Sequence, residues 1–197
     1  MQELFKKIIN TEVKPVFAKH GYSKKNLNFY KTDGNLTYKF NIQRAKYNTS
    51  SQVQFYVNCG VHSTELAELH SVGLNGDILE YVSHFTCRIR EIASSAPAHY
   101  TLTPDIDPDA LSKELVSHLE EGMSFLNSLT GARDIVHYYM DKTALHLSEV
   151  TFRFLLKAGN TEEANHYLQQ LHAKYGAEKR WTILEKKYAA VFAEYGL

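Results

Sequence analysis

Residues 26–62 read NLNFYKTDGNLTYKFNIQRAKYNTSSQVQFYVNCGVH, and this stretch decides the fold. Apolar side chains occupy every second position in Tyr38–Ile42 and again in Val53–Val61. Alternation with a period of two is typical of strands that have one buried face and one face toward water. Asp33-Gly34 lies between the first two runs, where a tight hairpin needs residues that tolerate positive φ. The stretch therefore predicts three consecutive antiparallel strands.

The segments on either side of this stretch extend the sheet and cover it. Residues 2–20 carry apolar side chains at helical spacing, and Pro15 should kink or split that helix. Phe85–Ile92 alternates again, which predicts a fourth strand, and His99–Thr103 predicts a short fifth one. Gly73, Asn75 and Gly76 predict a loop ahead of the fourth strand.

Helical signals dominate the second half of the chain. Asp107-Pro108 supplies a capping acceptor followed by proline at the first helical position, and Ser63 can cap a shorter helix. From Ala132 onward the pattern is helical. We predict an α+β protein with an antiparallel sheet of four to five strands, an N-terminal helix on one face and a helical C-terminal part. The expected domains are an α+β sheet domain at residues 1–140 and a helical extension at 141–197 packed on it.

The overall composition fits a folded protein without net charge. Of the 197 residues, 44% are hydrophobic and 22% charged, with 22 basic and 22 acidic side chains, so the chain can bury a core. That balance argues against general binding to nucleic acid or anionic membranes. The charges are nevertheless unevenly distributed. Residues 1–60 contain ten basic and three acidic side chains, and residues 61–130 contain three basic and eleven acidic ones. Either the two segments neutralise each other in the fold, which is the more ordinary case, or a bipolar surface meets a charged partner.

Two cysteines, Cys59 and Cys87, indicate buried thiols in a reduced compartment rather than a disulfide framework. Both should lie on the apolar side of neighbouring strands, and a buried thiol lacks the exposure and lowered pKa of a nucleophile. The N-terminal MQELFKKIIN has no signal-peptide core, and no apolar run reaches membrane-spanning length. We therefore expect a soluble cytoplasmic protein.

The common chemical motifs are absent from the sequence. It contains no P-loop, glycine-rich dinucleotide turn, HExxH pair, CxxC or GxSxG elbow, and its ten histidines include no pair four residues apart. Asp105, Asp107 and Asp109 lack the glycine and distal glutamate of an EF-hand loop, and helix capping explains Asp107 more simply. We predict no catalytic residue, no metal site and no cofactor, and favour a protein that is not an enzyme.

Short motifs along residues 1–140 resemble one family. In order they are Lys19-His20-Gly21-Tyr22, Asn28-Phe29-Tyr30, Asn41-Ile42-Gln43, the run Phe55–Val61, and Cys87-Arg88-Ile89-Arg90. This order resembles the bacterial domain-of-unknown-function 4304 family, although position 22 holds Tyr where the family tends to have Phe. The resemblance implies an α+β fold and a bacterial cytoplasmic setting. The family has no established activity, so it implies no catalytic residues.

The polar face of the predicted sheet is the candidate surface. Its expected ligand-binding side chains are Gln43, Tyr56, Asn58, Arg88 and Arg90. Amide and guanidinium groups bind carboxylates, phosphates or peptides. The ordinary alternative is a solvated sheet face, which antiparallel sheets commonly have, or a face covered by the C-terminal helices.

These observations favour a non-enzymatic protein-binding or interaction module, with an immunity-type role that neutralises a partner such as a toxin as one form. The alternative is a small anionic ligand-binding protein or an enzyme that uses the polar sheet face. We expect a protein partner or a small anionic ligand, and neither nucleic acid nor membrane. A broad face would favour a protein partner, and a deep closed pocket would favour a small ligand.

Overall fold

A computed structural model of the chain describes residues 1–70 and 83–197. The loop predicted at Gly73–Gly76 lies outside these residues. The chain divides into two compact units, Met1–His62 with Val82–Thr130, and Ser63–Tyr81 with Gly131–Leu197. The division falls between Thr130 and Gly131. The sequence-based boundary after residue 140 falls near the end of a helix, and the packing of residues 141–197 on the sheet domain stays a prediction.

The first unit contains an antiparallel sheet, which confirms the predicted α+β class. Its described strands follow the order β1-β2-β3-β4-β5, and β6 also pairs with β4. The strands are β1 (Ser23–Lys25), β2 (Asn28–Asp33), β3 (Leu36–Arg44), β4 (Val53–Ser63), β5 (Phe85–Arg88) and β6 (Tyr100–Leu102). Six strands replace the expected four to five because β1 was not predicted. All three residues of β1 are exposed, so its sequence lacks the alternation of apolar and polar residues that marks a strand. In the strand order given above, β1 is next to β2 alone.

Alternation along β3 and β4 sets one buried and one polar face, as predicted. Tyr38, Phe40 and Ile42 on β3 are buried, and the residues between them are half-buried. The hairpin between β2 and β3 turns at Gly34, whose φ of 53° is in the left-handed region that glycine tolerates without a steric penalty. The register therefore follows from side-chain alternation together with the turn.

The N-terminal helix is continuous instead of broken at Pro15. Helix α1 (Gln2–Ile8) runs into a π-helical segment (Ile9–Val13) and then into α2 (Lys14–Lys19). In the π segment the backbone N–H of Lys14 donates to the carbonyl of Ile9, five residues earlier. Pro15 follows directly on this segment, where the backbone hydrogen bonds already depart from the regular α-helical pattern that a proline interrupts.

Aromatic side chains join this helix to the apolar face of the sheet. Phe17 stacks on Phe29 of β2 with ring centroids 4.1 Å apart and contacts Phe40 of β3 at 5.1 Å. Near the other end of the helix, Phe5 meets Phe55 of β4 at 5.2 Å. All five rings are buried, and pairs at these separations add to the stability that burial alone gives.

Helix α4 (Pro108–Ser128) is the second helix on that apolar face. Asp107 accepts hydrogen bonds from the backbone N–H groups of Asp109 and Ala110 at 2.9 and 3.3 Å, which confirms the predicted cap. At Gly122 the helix approaches the sheet closely, because a Cβ there would lie 2.5 Å from Ile89 Cδ1 and 3.3 Å from Phe40 Cε1. The absence of a side chain at this position thus sets the distance between α4 and the sheet.

The second unit is helical in its described residues. A short helix, α3 (Thr64–Ala67), starts with Ser63 Oγ accepting from the Leu66 N–H, as predicted for this cap. The helices after it are α5 (Ala132–Asp141), α6 (Ser148–Lys157), α7 (Thr161–Tyr175) and α8 (Trp181–Glu194). Their buried core consists of Phe152, Leu155, Leu156, Ala164, Tyr167, Leu171, Trp181, Tyr188 and Val191. Among the helices that the structure describes, none has the length and apolar character that a membrane crossing requires.

Replacement of Gly122 tests the close approach of α4 to the sheet. We expect Gly122→Leu to lower the free energy of unfolding by roughly 2 kcal/mol, since the overpacking cost exceeds the roughly 1 kcal/mol gained in helix propensity. The matched control is Ser124→Leu on the exposed side of the same helix, which should change it by less than about 0.5 kcal/mol. Urea denaturation of both variants measures the difference, and equal stabilities would contradict the close approach.

Candidate functional site

The polar face of the sheet is assembled by the strand register. Asn28 on β2 is paired with Asn41 on β3, and Asn58 on β4 is paired with Arg88 on β5. Side chains of directly paired residues point to the same face of an antiparallel sheet. Asn58 also hydrogen-bonds to Asn41, so the four side chains lie in a row across the neighbouring strands β2, β3, β4 and β5.

Hydrogen bonds connect the amides of this row in one direction. Asn41 Nδ2 donates to Asn28 Oδ1 at 2.7 Å, and Asn58 Nδ2 donates to Asn41 Oδ1 and to Gln43 Oε1, both at 3.0 Å. Since the Asn58 amide nitrogen is used in these bonds, its carbonyl oxygen is directed toward β5. There it accepts from Arg88 Nη1. We call Asn28, Asn41, Gln43, Asn58 and Arg88 the amide row.

Arg88 ends the amide row as a cation held by neutral groups. Its Nη1 also donates to Gln43 Oε1 at 3.3 Å, and its guanidinium carbon lies 4.8 Å from the centroid of the Tyr56 ring. The carboxylate of Glu91 instead accepts the backbone N–H of Arg88 at 2.6 Å. Within residues 1–70 and 83–197, Arg88 forms no ion pair. Amide oxygens orient the guanidinium but do not cancel its charge, so it can still bind an anion.

The structure brings together four of the five predicted site residues: Gln43, Tyr56, Asn58 and Arg88. Arg90 lies outside the strand that carries Arg88, and its role in binding stays a prediction. Strand β5 ends at Arg88, and residues Ile89–Glu91 form a 3₁₀ turn in which Arg90 is exposed and Ile89 is buried. The alternation in Phe85–Ile92 predicted the burial of Ile89 correctly but did not show the turn, in which Glu91 accepts from the backbone N–H of Arg88.

A groove continues from the polar face into the loop between β3 and β4. Its volume is about 390 Å³, and it is lined by Gln43, Arg44, Ala45, Lys46, Tyr47, Asn48, Gln52, Gln54 and Tyr56. The Asn48 side chain shapes the loop by accepting from the Gln54 N–H at 2.7 Å and donating to the Gln54 carbonyl at 2.9 Å. Tyr47 is 84% exposed, and Lys46 Nζ lies 5.5 Å from the centroid of its ring.

The cations of this groove also have neutral partners. Arg44 donates to the side-chain oxygen of Gln2, and its guanidinium carbon lies 5.7 Å from the centroid of the Phe5 ring. Neither Arg44 nor Lys46 takes part in an ion pair in the part of the chain that the structure describes. Sequence reasoning missed the groove, although the basic and aromatic side chains that end β3 and begin the loop were a signal for it.

Residues 13–136 match the family model described as Domain of unknown function (DUF4304). The chain belongs to this family. Comparison with curated proteins and with solved structures finds no match. The matched residues include the amide row and all lining residues of the groove, whereas α6, α7 and α8 follow the end of the match.

The DUF4304 domain also contains a serine, a histidine and a tyrosine in a hydrogen-bonded chain that sequence reasoning missed. Tyr100 Oη lies 2.8 Å from His118 Nδ1, and His118 Nε2 lies 3.0 Å from Ser95 Oγ. His118 and Tyr100 are buried, whereas Ser95 is exposed. This order resembles a nucleophile with a base behind it, so the direction of the hydrogen bonds decides its chemistry.

Burial of the tyrosine favours hydrogen bonds that run from it toward the serine. Burial raises the pKa of Tyr100, so its hydroxyl keeps its proton, and a buried hydroxyl proton needs an acceptor. Among the described residues, His118 Nδ1 is the hydrogen-bond partner of this hydroxyl. The tautomer with the ring proton on Nε2 lets Nδ1 accept from Tyr100 and Nε2 donate to Ser95. In that tautomer His118 could not remove the Ser95 proton, and the arrangement would position a loop.

The two thiols of the domain are buried on neighbouring strands. Cys59 and Cys87 are directly opposite each other on β4 and β5, and both are free and buried, as the sequence predicted. Burial is the main cause that raises the pKa of the Cys59 thiol, and the neighbouring Cys87 adds to it. No group of three or more His, Cys, Asp or Glu in residues 1–70 and 83–197 is arranged to hold a metal ion.

Removal of the tyrosine hydroxyl tests the buried hydrogen bond between Tyr100 and His118, and chemical labelling of Ser95 tests its direction. Tyr100→Phe leaves the buried Nδ1 of His118 without its partner, and we expect a loss of about 1–3 kcal/mol in the free energy of unfolding. Ser95→Ala is the control, because water can replace the exposed hydroxyl, and it should cost less than about 0.5 kcal/mol. Urea denaturation measures both. Wild-type Ser95 should also stay unlabelled by a fluorophosphonate, and labelling would show that His118 acts as its base.

Proposed function

We propose that this protein is a protein-binding module, and that the amide row with Arg88 at its end binds acidic side chains of a partner protein. The observation that supports this proposal most directly is the Arg88 guanidinium, which is oriented by amide oxygens and a tyrosine ring and has no acidic partner in the described chain. A carboxylate that approached Arg88 would form a charge-assisted hydrogen bond to a donor already held in position.

The extent of the surface favours a protein over a small ligand. The amide row crosses four strands, which corresponds to about 14 Å from the first strand to the last. Its polar groups are spread along this distance instead of converging on one point. Tyr56 and the exposed Tyr47 add aromatic side chains, which are enriched at protein interfaces together with arginine. An acidic protein surface fits this distribution.

The cellular setting is part of the same proposal. We place the protein in the bacterial cytoplasm, a compartment in which two free thiols such as Cys59 and Cys87 remain reduced. An immunity-type role, in which the protein neutralises a partner such as a toxin, would use the same surface.

A small anionic ligand in the groove, bound or chemically changed there, is the second candidate. The groove has a volume of about 390 Å³, which lies in the range of small-molecule sites. Arg44, Lys46, Gln54 and Tyr47 line it with two cations, an amide and an aromatic ring. An anion of the size of a nucleotide or a sugar phosphate would suit these groups.

Arg88 and Arg90 provide a matched pair for testing the proposal. Both are arginines near the end of β5, but only Arg88 belongs to the amide row. We expect Arg88→Ala to weaken binding of a protein partner by about ten-fold or more, whereas Arg90→Ala should leave it nearly unchanged. The partner is captured with wild-type protein from native host lysate, purified, and titrated against each variant by calorimetry.

The same titrations separate the two candidate functions. A purified partner whose binding depends on Arg88, with both variants as stable to urea as the wild type, supports the interaction module. An equal loss of affinity for the partner in Arg88→Ala and Arg90→Ala would contradict a role for the amide row. Native mass spectrometry of the protein isolated from host lysate tests the second candidate, a small anion in the groove. An anion that is retained by the wild type and lost in Lys46→Ala, in the absence of a protein partner, would establish the groove as the site.

A further inference from the structure

The hydrogen bonds of the amide row run in one direction, and Arg88 fixes that direction. A guanidinium group can only donate, so Asn58 and Gln43 each turn an amide oxygen toward Arg88 Nη1. The amide nitrogen of Asn58 then faces the other way and donates to Asn41 Oδ1. Asn41 Nδ2 donates in turn to Asn28 Oδ1. Each amide orientation along the row therefore follows from the one before it, beginning at Arg88.

This direction leaves an unused donor at the far end of the row. The side-chain oxygen of Asn28 accepts from Asn41, so the Asn28 amide nitrogen is the last polar atom of the hydrogen-bonded series. Asn28 is half-buried, and its Nδ2 is open to solvent and donates to no protein group in the part of the chain that the structure describes. An amide nitrogen can only donate, so it can bind only a group that carries an acceptor.

Lys25 places a positive charge beside this donor. It is the last residue of β1 and is directly paired with Asn28 on β2, so both side chains point to the polar face. Lys25 is exposed and forms no ion pair within residues 1–70 and 83–197. The neighbouring Lys24 is paired with the buried Phe29, so it points to the opposite face, where it donates to Asn10 at 3.3 Å.

The two ends of the amide row therefore offer the same kind of group to a partner. Every amide oxygen of the row already accepts a hydrogen bond from within it. The groups left for a partner are donors, with the Arg88 guanidinium at one end and the Asn28 amide beside the Lys25 ammonium at the other. Charged donors of this kind select carboxylates.

We infer that Asn28 and Lys25 form a second anion-binding point, and that the partner presents two acidic groups whose separation matches the length of the amide row. Arg88 and Asn28 are three strand spacings apart, about 14 Å, and Lys25 lies one strand further, at about 19 Å. The inference rests on the proposed function, because it takes the amide row to be the binding surface. It adds the distance between the acidic groups and the second pair of residues that binds them.

Two helical peptides of identical composition test this distance. Each has about twenty alanine and glutamine residues, blocked termini and two glutamates, which are eleven positions apart in one peptide and four in the other. Eleven residues span about 16 Å and bring both glutamates to one side of the helix, whereas four residues span about 6 Å. We expect the peptide with the longer spacing to bind about five-fold more tightly or better, because it alone reaches both ends of the row. NMR titration of protein labelled with ¹⁵N measures both dissociation constants.

Lys25 and Lys24 give the control for location. Lys25→Ala and Lys24→Ala remove the same charge from neighbouring exposed positions of β1, but only Lys25 lies on the polar face. We expect Lys25→Ala to reduce the difference in affinity between the two peptides to within about two-fold. Lys24→Ala should retain the full difference.

Asn28→Asp tests the amide donor separately. An aspartate oxygen at this position can still accept from Asn41 Nδ2, so the row is preserved, while a carboxylate oxygen replaces the free N–H and repels an anion. We expect this variant to bind the two peptides with equal affinity. Urea denaturation checks that its stability matches that of the wild type.

The results separate the second anion-binding point from the proposed function. Three outcomes would overturn the second point: no saturable binding of either peptide, equal affinity of the wild type for both, or a preference that persists in Lys25→Ala or in Asn28→Asp. If Arg88→Ala still weakens binding of the purified protein partner, the proposed function stands without the second point. A partner that binds Arg88→Ala as tightly as the wild type would overturn both.

Discussion

The close approach of Ile89 to Gly122 is the constraint that sets how α4 packs on the apolar face of the sheet. Ile89 occupies the space that a side chain at position 122 would need, which lets α4 lie close to Phe40. Ile89 also begins the 3₁₀ turn that follows β5. Arg88, the last residue of that strand, ends the amide row, and Arg90 is exposed within the turn. The residue against which α4 packs thus lies between the arginine of the amide row and the arginine of the turn.

The sequence predicted those features that local rules control. Alternation in β3 and β4 placed Gln43, Tyr56 and Asn58 on one face, and the cap at Asp107 placed the start of α4. Both patterns arise from neighbours along the chain, because a strand alternates with period two and a cap acts within one turn. The family resemblance, which the match over residues 13–136 confirms, came from the same short motifs.

The features that the sequence did not predict arise from contacts between distant segments. The chain from Tyr100 to Ser95 depends on His118 of α4, and the close approach of Ile89 to Gly122 involves the same helix. Periodicity contains no information on such contacts, since it reports which face is buried and not what lies against it.

The π-helical segment in the N-terminal helix adjusts the rotational phase between the two ends of that helix. Each residue turns an α-helix by about 100°, so deletion of one residue from Ile9–Val13 would restore a regular helix and rotate α1 against α2 by about that angle. Phe17 could stay on β2, but Phe5 would turn away from Phe55 on β4. The extra residue in the π-helical turn therefore allows Phe5 and Phe17 to contact two different strands, which a regular α-helix would not permit at the same time.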